Sequence, residues 1–309
     1  MELCRLICNN DNTLSELSRI KIPFSIANAS NVCFCNGMFC FAEHKTLIYL
    51  WNPSIRKFKK LEASRFNYPC KVTFGLAYHS QNNDFKILRI VSFIYNHIPT
   101  EPIPVVAQIY TLSTDSWRKV DVSVQSLSGN IIDVGATPCL FFNGALHSIA
   151  YTKDHTFILS FDVNDEKFRE IMLPQDYLDE EFVYSKRLVV FKGALALIAF
   201  VKEDDDLYDS MEVCYIWVMR EYGVVESWTK KVVQMGNFLN FYGCTGNGGE
   251  FLISKGFDTV QLFSIDPDNQ SENNHQDHPL KVCVGIQDHP LKVYTSNFME
   301  SLVLLKGKP

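Results

Sequence analysis

Cys33, Cys35, Cys40 and His44 form a Cys-x-Cys-x4-Cys-x3-His cluster. Three thiolates and an imidazole are a donor set that zinc accepts in a tetrahedral site. The spacing is not the C-x2-C of a finger, and Cys33 and Cys35 fall on one face of an extended strand. Small apolar thiols packed in a sheet core are the simpler reading. The acidic run Asp204-Asp205-Asp206, flanked by Glu203 and Asp209, offers oxygens to a cation or a basic partner. It lies between apolar stretches, so a solvated hairpin loop explains it as well. Asp179-Glu180-Glu181 is read the same way. Thr245-Gly246-Asn247-Gly248-Gly249-Glu250 lacks the Lys-Ser/Thr of a phosphate loop and reads as a tight turn. His147, within Ala145-Leu146-His147-Ser148, reads as a hydrogen-bonded strand residue before a catalytic base. There is no G-x-S-x-G elbow and no H-E-x-x-H pair. These residues assign no catalytic, cofactor or metal site. The expectation is a protein that is not an enzyme and whose partner-binding residues no motif reveals.

The elements that carry these residues follow from composition. The chain has 309 residues, 47% hydrophobic and 21% charged, enough to bury a large core without disulfide staples. A net charge of −6 gives no footprint for nucleic acid or an anionic membrane. Met1 to Asn10 lacks the basic-then-apolar pattern of a signal peptide. The longest apolar run, Ala194 to Val201, falls far short of the roughly 20 residues of a membrane span. The ten cysteines are therefore expected to be reduced, in a soluble protein of the cytoplasm and/or nucleus.

Short apolar runs alternate with Gly, Asn, Asp and Pro turns, an all-β pattern. Runs such as Phe157 to Phe161 and Val213 to Met219 are apolar on both faces, as strands between stacked sheets are. Four times a strand meets a polar turn and then a short strand with an aromatic beside basic residues. The aromatics are Phe58, Trp117, Phe168 and Trp228, spaced 51 to 60 residues apart. Phe263 to Asp268 is a degenerate fifth copy without the aromatic. That period fits four-stranded propeller blades of the kelch type, about five to six of them. Asn36-Gly37 and Asn143-Gly144 suit type I′ hairpins, and Lys192-Gly193 occupies an equivalent place. The last strand of each unit is expected at an outer edge, its lysines and arginines discouraging edge pairing. A β-sandwich is the alternative. Trp51, Trp117, Trp217 and Trp228 could stack on a sugar or peptide, but their repeat positions point first to blade packing. The segment Gln276 to Val282 recurs as Gln287 to Val293, a local duplication expected in a flexible loop at 266–292. Loops between strands carry recognition on such folds, and Asn96 to Pro104 and Glu203 to Ser210 are the candidates.

The ordered series resembles the F-box-associated interaction domain of plant F-box proteins, the group with the S-locus F-box and F-box/kelch-like proteins. The matching stretches include Cys35-Asn36-Gly37-Met38-Phe39-Cys40, Leu50-Trp51-Asn52-Pro53-Ser54-Ile55-Arg56-Lys57-Phe58 and Phe74-Gly75-Leu76-Ala77-Tyr78. Asn143-Gly144-Ala145-Leu146-His147 follows, and the most specific block is Ile216 to Gly223 with Glu226-Ser227-Trp228-Thr229. Ser148 stands where the family often has Trp. The resemblance implies one F-box-associated propeller domain over 17–309, after a lead-in of residues 1–16 too short for a helical F-box. It also implies a protein–protein interaction module, the substrate-recognition part of an SCF-type ubiquitin ligase. An unknown target protein is the expected partner. The Skp adaptor and cullin are partners only if an F-box is supplied upstream. A propeller enzyme, a carbohydrate-binding protein and a nonfunctional degenerate copy are the competing expectations.

Overall fold

A computed structural model describes residues 3–10, 13–25, 29–94, 103–124, 130–177, 183–202, 212–235, 238, 240–244, 249–255, 261–269 and 271–274. Among them helix is confined to one 3-10 turn at Val225–Ser227. Among the described residues no helix is long and apolar enough to cross a membrane. A hairpin of β1 (Leu3–Asn10) and β2 (Thr13–Lys21) comes first, spanning the end of the expected lead-in, residues 1–16, and the start of the expected domain.

Five antiparallel sheets follow in chain order. The first is β3 (Ala29–Cys35), β4 (Met38–Glu43), β5 (Leu47–Asn52) and β6 (Lys57–Glu62). The second is β7 (Cys70–His79), β8 (Asp84–Phe93), β9 (Val106–Thr111) and β10 (Ser116–Val120). The third has β11 (Asp133–Val134), β12 (Leu140–Phe142), β13 (Ala145–Tyr151), β14 (Thr156–Asp162) and β15 (Phe168–Ile171). The fourth is β16 (Val183–Phe191), β17 (Ala194–Lys202), β18 (Glu212–Met219) and β19 (Trp228–Gln234). The fifth is β20 (Asn240–Cys244), β21 (Phe251–Lys255), β22 (Gln261–Asp266) and β23 (Ser271–Asn274). These are the blades of a β-propeller, the expected all-β class, and among the described residues they number five. In the third, β11 and β12 both pair with β13 and are two halves of one broken first strand. Pro138 has no donor for the ladder, and the Cys139 N–H bonds the Phe74 carbonyl of the second blade instead, at 2.8 Å.

Inner strands are apolar on both faces and outer strands are not. Every residue of β4 is buried, whereas β6 and β19 are mostly exposed or half-buried. The repeat aromatics begin the outer strands and pair across to the end of the preceding strand: Phe58 with Trp51, Trp117 with Tyr110, Phe168 with Phe161, Trp228 with Met219. Cross-strand aromatic pairs of this kind hold the last strand onto its sheet. Asn36-Gly37, Asn143-Gly144 and Lys192-Gly193 all take positive φ at both positions, as type I′ turns require.

The turn before each of the first three outer strands holds a non-glycine residue in the left-handed region: Arg56, Asp115 and Glu166. Two of these reach back to the preceding blade. Asp115 pairs with Lys59 at 3.0 Å, and Glu166 pairs with Lys86 at 2.8 Å and with Arg118. In the fifth blade, Asp268 occupies the corresponding turn and binds Lys192 and Lys231 of the fourth.

The chain falls into two compact units, Met1–Ser25 with Pro174–Asn297 and Ile26–Leu173 with Phe298–Pro309. Of segment 266–292, residues 266–269 and 271–274 form the end of β22, a turn and β23. The duplicated stretches lie outside the described residues.

Candidate partner-binding surface

In the unit that holds the first three blades, one sheet end collects exposed apolar groups. The segment 63–69 joins β6 to β7 there, and the return from β8 to β9 starts beside it. Its ends are tied down: the Ala63 N–H donates to the Thr46 carbonyl at 2.8 Å, and the Ile94 N–H donates to the Pro69 carbonyl at 2.9 Å. Phe66 and Tyr68 both meet the Phe93 ring edge to face, with centroids 5.7 and 6.4 Å away. Tyr68 remains 65% exposed and Ile94 50%. Ile103 is also exposed, where the chain comes back toward β9. Such aromatic and aliphatic groups, held rigid by neighbours, are the usual anchors of a protein interface.

Arg89, only 1% exposed, lies in the middle of β8. Its Nη1 donates to the Gln108 side-chain oxygen at 2.5 Å and its Nε to the Lys45 carbonyl at 3.2 Å. The guanidinium sits 5.2 Å from the Phe66 ring centroid. Gln108 in turn donates to the Ser64 hydroxyl at 3.0 Å. One buried cation thereby holds the β4–β5 turn and the 63–69 segment together. Burial lowers its pKa to about 10, so it stays charged at neutral pH.

The strands' other end carries a polar cleft of about 540 Å³, lined by Asp84, Lys86, Ser113, Arg118 and Glu166 among others. Its charges are spent on one another. Burial opposes ionisation of Glu166, but the bonds from Lys86 and Arg118 outweigh it and hold the carboxyl below its usual range. Asp84 accepts from the Ser113 hydroxyl at 2.5 Å.

The residues singled out for chemistry are placed as follows. Cys33 and Cys40 face each other across β3 and β4, both buried, and Cys35 is buried nearby. Burial pushes the Cys35 thiol up to about 12, which disfavours the thiolate a metal needs. His44 is exposed in the β4–β5 turn, beyond the end of the strand that carries Cys40. Among the described residues no three His, Cys, Asp or Glu groups come close enough to hold a metal ion. Of the candidate contact loop 96–104, only Ile103 and Pro104 are described. Runs 203–210 and 179–181 lie outside the described residues, as do 245–248 of the glycine-rich turn. Arg89 escaped sequence reading although a signal was present: a charge inside the apolar run Phe85 to Val91.

His147 is fully buried on β13. Its Nδ1 donates to the Leu140 carbonyl at 3.2 Å, and its Nε2 accepts from the Ser160 hydroxyl at 3.5 Å. Burial pushes the imidazole down to about 4, against the opposing pull of backbone bonds, so it is neutral at pH 7. The folded pKa lies below the unfolded value of about 6.5. The stability this group contributes is complete above pH 6.5 and is lost as pH falls toward 4. The loss is on the order of 2 kcal/mol by pH 5. Urea melts at pH 7 and pH 5 should show it, and His147→Gln should flatten that part of the profile. An unchanged slope in the variant would rule His147 out as its source.

A family model described as an F-box associated beta propeller domain matches residues 5–304. Among curated proteins of Arabidopsis thaliana, the F-box/kelch-repeat protein At3g23880 is 24% identical over 63% of this chain and 50% of its own length. The F-box protein At3g07870 is 30% identical over 66% of this chain and 50% of its own length. The F-box protein CPR1 is 24% identical over 73% and 57%. The chain spans about half the length of the curated relatives it matches. Among solved structures, an alpha-L-arabinofuranosidase from Lactobacillus brevis is 11% identical with a TM-score of 0.46, over 80% of this chain and 93% of that one.

Proposed function

The chain belongs to the F-box associated β-propeller family, and from that membership we propose that it is the target-gripping part of an SCF-type ubiquitin ligase. The observation that carries this reading is the family match over residues 5–304, shared with relatives that are F-box proteins. In that role the subunit performs no chemistry. It holds a target protein, while an F-box, the Skp adaptor and a cullin bring the transfer machinery. The rigid apolar surface at Tyr68, Phe93 and Ile94 is the part of the unit with the first three blades that suits such a grip. Buried His147 and the buried thiols have no access to a substrate, which disfavours an enzymatic role for them. Work in the cytoplasm or nucleus, where thiols stay reduced, suits the seven free cysteines among the described residues.

The test is reconstitution. The chain, joined to an F-box segment and assembled with Skp adaptor, cullin and RING subunits, should ubiquitinate a protein that proximity labelling identifies beside it in plant cells. Omission of the chain should abolish the transfer. Binding of the labelled protein with no transfer in the complete assembly would overturn the ligase reading.

A further inference from the structure

We propose that the surface around Tyr68 takes an acidic segment of a target protein, one that also carries an aromatic or aliphatic side chain. This rests on reading the chain as a target-binding module, and it names the chemistry of what is bound.

Charge on the surface decides the sign. Lys59 and Lys86, the other cations held deep in this unit, each have a carboxylate: Asp115 at 3.0 Å and Glu166 at 2.8 Å. Arg89 has none. Its partners are an amide oxygen, a backbone carbonyl and a phenyl ring, all neutral. A guanidinium buried without a counter-charge, against the low-dielectric Phe66 ring, projects its positive potential toward the segment that carries Phe66 and Tyr68. Around it, Lys45 and Arg65 are exposed. Lys45 is anchored by donating to the Cys70 carbonyl at 2.5 Å. Of the carboxylates at these strand ends, Glu62 is paired with Lys60 at 3.5 Å and Asp133 with Lys71 at 2.6 Å, so three cations, Lys45, Arg65 and Arg89, stand against the one remaining acid, buried Glu43. A chain whose net charge is −6 thus presents a positive, apolar spot at this sheet end.

Rigidity decides the fit. Tyr68 offers a large face with few rotatable bonds, already set against Phe93. Ile94 beside it is fixed by its bond to Pro69. Little conformational entropy remains to be lost when an apolar side chain settles there, while an adjacent Asp or Glu meets Arg65 and the field of Arg89.

The experiment uses the full chain and fluorescein-labelled 12-residue peptide pools. One pool combines Asp and Glu with Phe and Leu. A second replaces the acids by Lys, and a third keeps the acids but replaces Phe and Leu by Ser and Gly. By anisotropy, the acidic–apolar pool is expected to bind at least about tenfold tighter than either of the others, and more weakly as salt is raised. Tyr68→Ala and Arg65→Glu should each weaken that binding about tenfold with unchanged thermal melts, since both side chains are exposed. Equal binding of the three pools, or indifference to both substitutions, overturns the proposal. A target captured through Tyr68 by a basic segment also overturns it and leaves the ligase reading intact. A clear acidic–apolar preference in a chain that supports no ubiquitin transfer sustains this proposal and sinks the ligase reading.

Discussion

Truncation of Trp217 to alanine is expected to cost about 3–5 kcal/mol, the range for a fully buried large aromatic. Trp217 is wholly buried in the fourth blade. Its ring stacks on Tyr215 with centroids 5.8 Å apart, meets Tyr177 edge-on at 5.9 Å, and lies 5.3 Å from the Lys230 ammonium. Its indole N–H donates to Asp176 at 3.1 Å. Trp51 in the first blade is equally buried and packs on Phe39 and Phe41, yet its indole N–H has no acceptor among the described residues. The alanine variants should therefore suffer alike, while the phenylalanine variants should not. Trp217→Phe gives up a hydrogen bond to a carboxylate, and Trp51→Phe removes an unmet buried donor. Trp51→Phe should be the milder by about 1 kcal/mol in urea melts. The reverse order would mean that the Trp51 N–H has found an acceptor.

Gly75→Ala is expected to cost about 3 kcal/mol, and Gly75→Val to prevent soluble folding. Gly75 lies on β7 against Cys139 and Leu146 of the third blade. A methyl group there would stand 2.7 Å from Cys139 Cβ and 2.9 Å from both Leu146 methyl groups. Leu146 has a flexible side chain and can yield. Cys139 Cβ is fixed to a backbone whose N–H is bonded to Phe74. Adding Leu146→Ala should therefore recover only part of the loss. A Gly75→Ala midpoint equal to that of the parent protein would show that the two sheets can part at little cost.

Much of this architecture was legible before any coordinates, because it is written locally. Phe58, Trp117, Phe168 and Trp228 mark outer strands, since each must pair with a large group one short turn earlier in the chain. Asn36-Gly37 and Asn143-Gly144 mark hairpins because few other pairs tolerate positive φ twice. The fifth blade was faint because no aromatic opens β23, where Ile265 pairs with Glu272 instead. The broken first strand of the third blade went unread, since two- and three-residue strands leave no period. The candidate surface was nearly invisible for a different reason. Its scaffold joins Lys45, Ser64, Arg89 and Gln108, and the bonded pairs among these are up to 44 residues apart. Only folding makes them neighbours, and no local window contains the set.

The carboxylates of the outer turns point one way along the chain. Asp115 holds Lys59, Glu166 holds Lys86 and Arg118, and Asp268 holds Lys192 and Lys231. Each blade that takes part carries an acid for the one before it, and several carry a cation for the one after. The second blade carries both halves, Asp115 toward the first and Lys86 with Arg118 toward the third. A tandem copy of that blade would bring its own fastening on both sides and could seat beside its parent without a compensating change elsewhere. A fold assembled from units with directional fasteners can lengthen or shorten by whole repeats, while its recognition loops drift independently toward new targets.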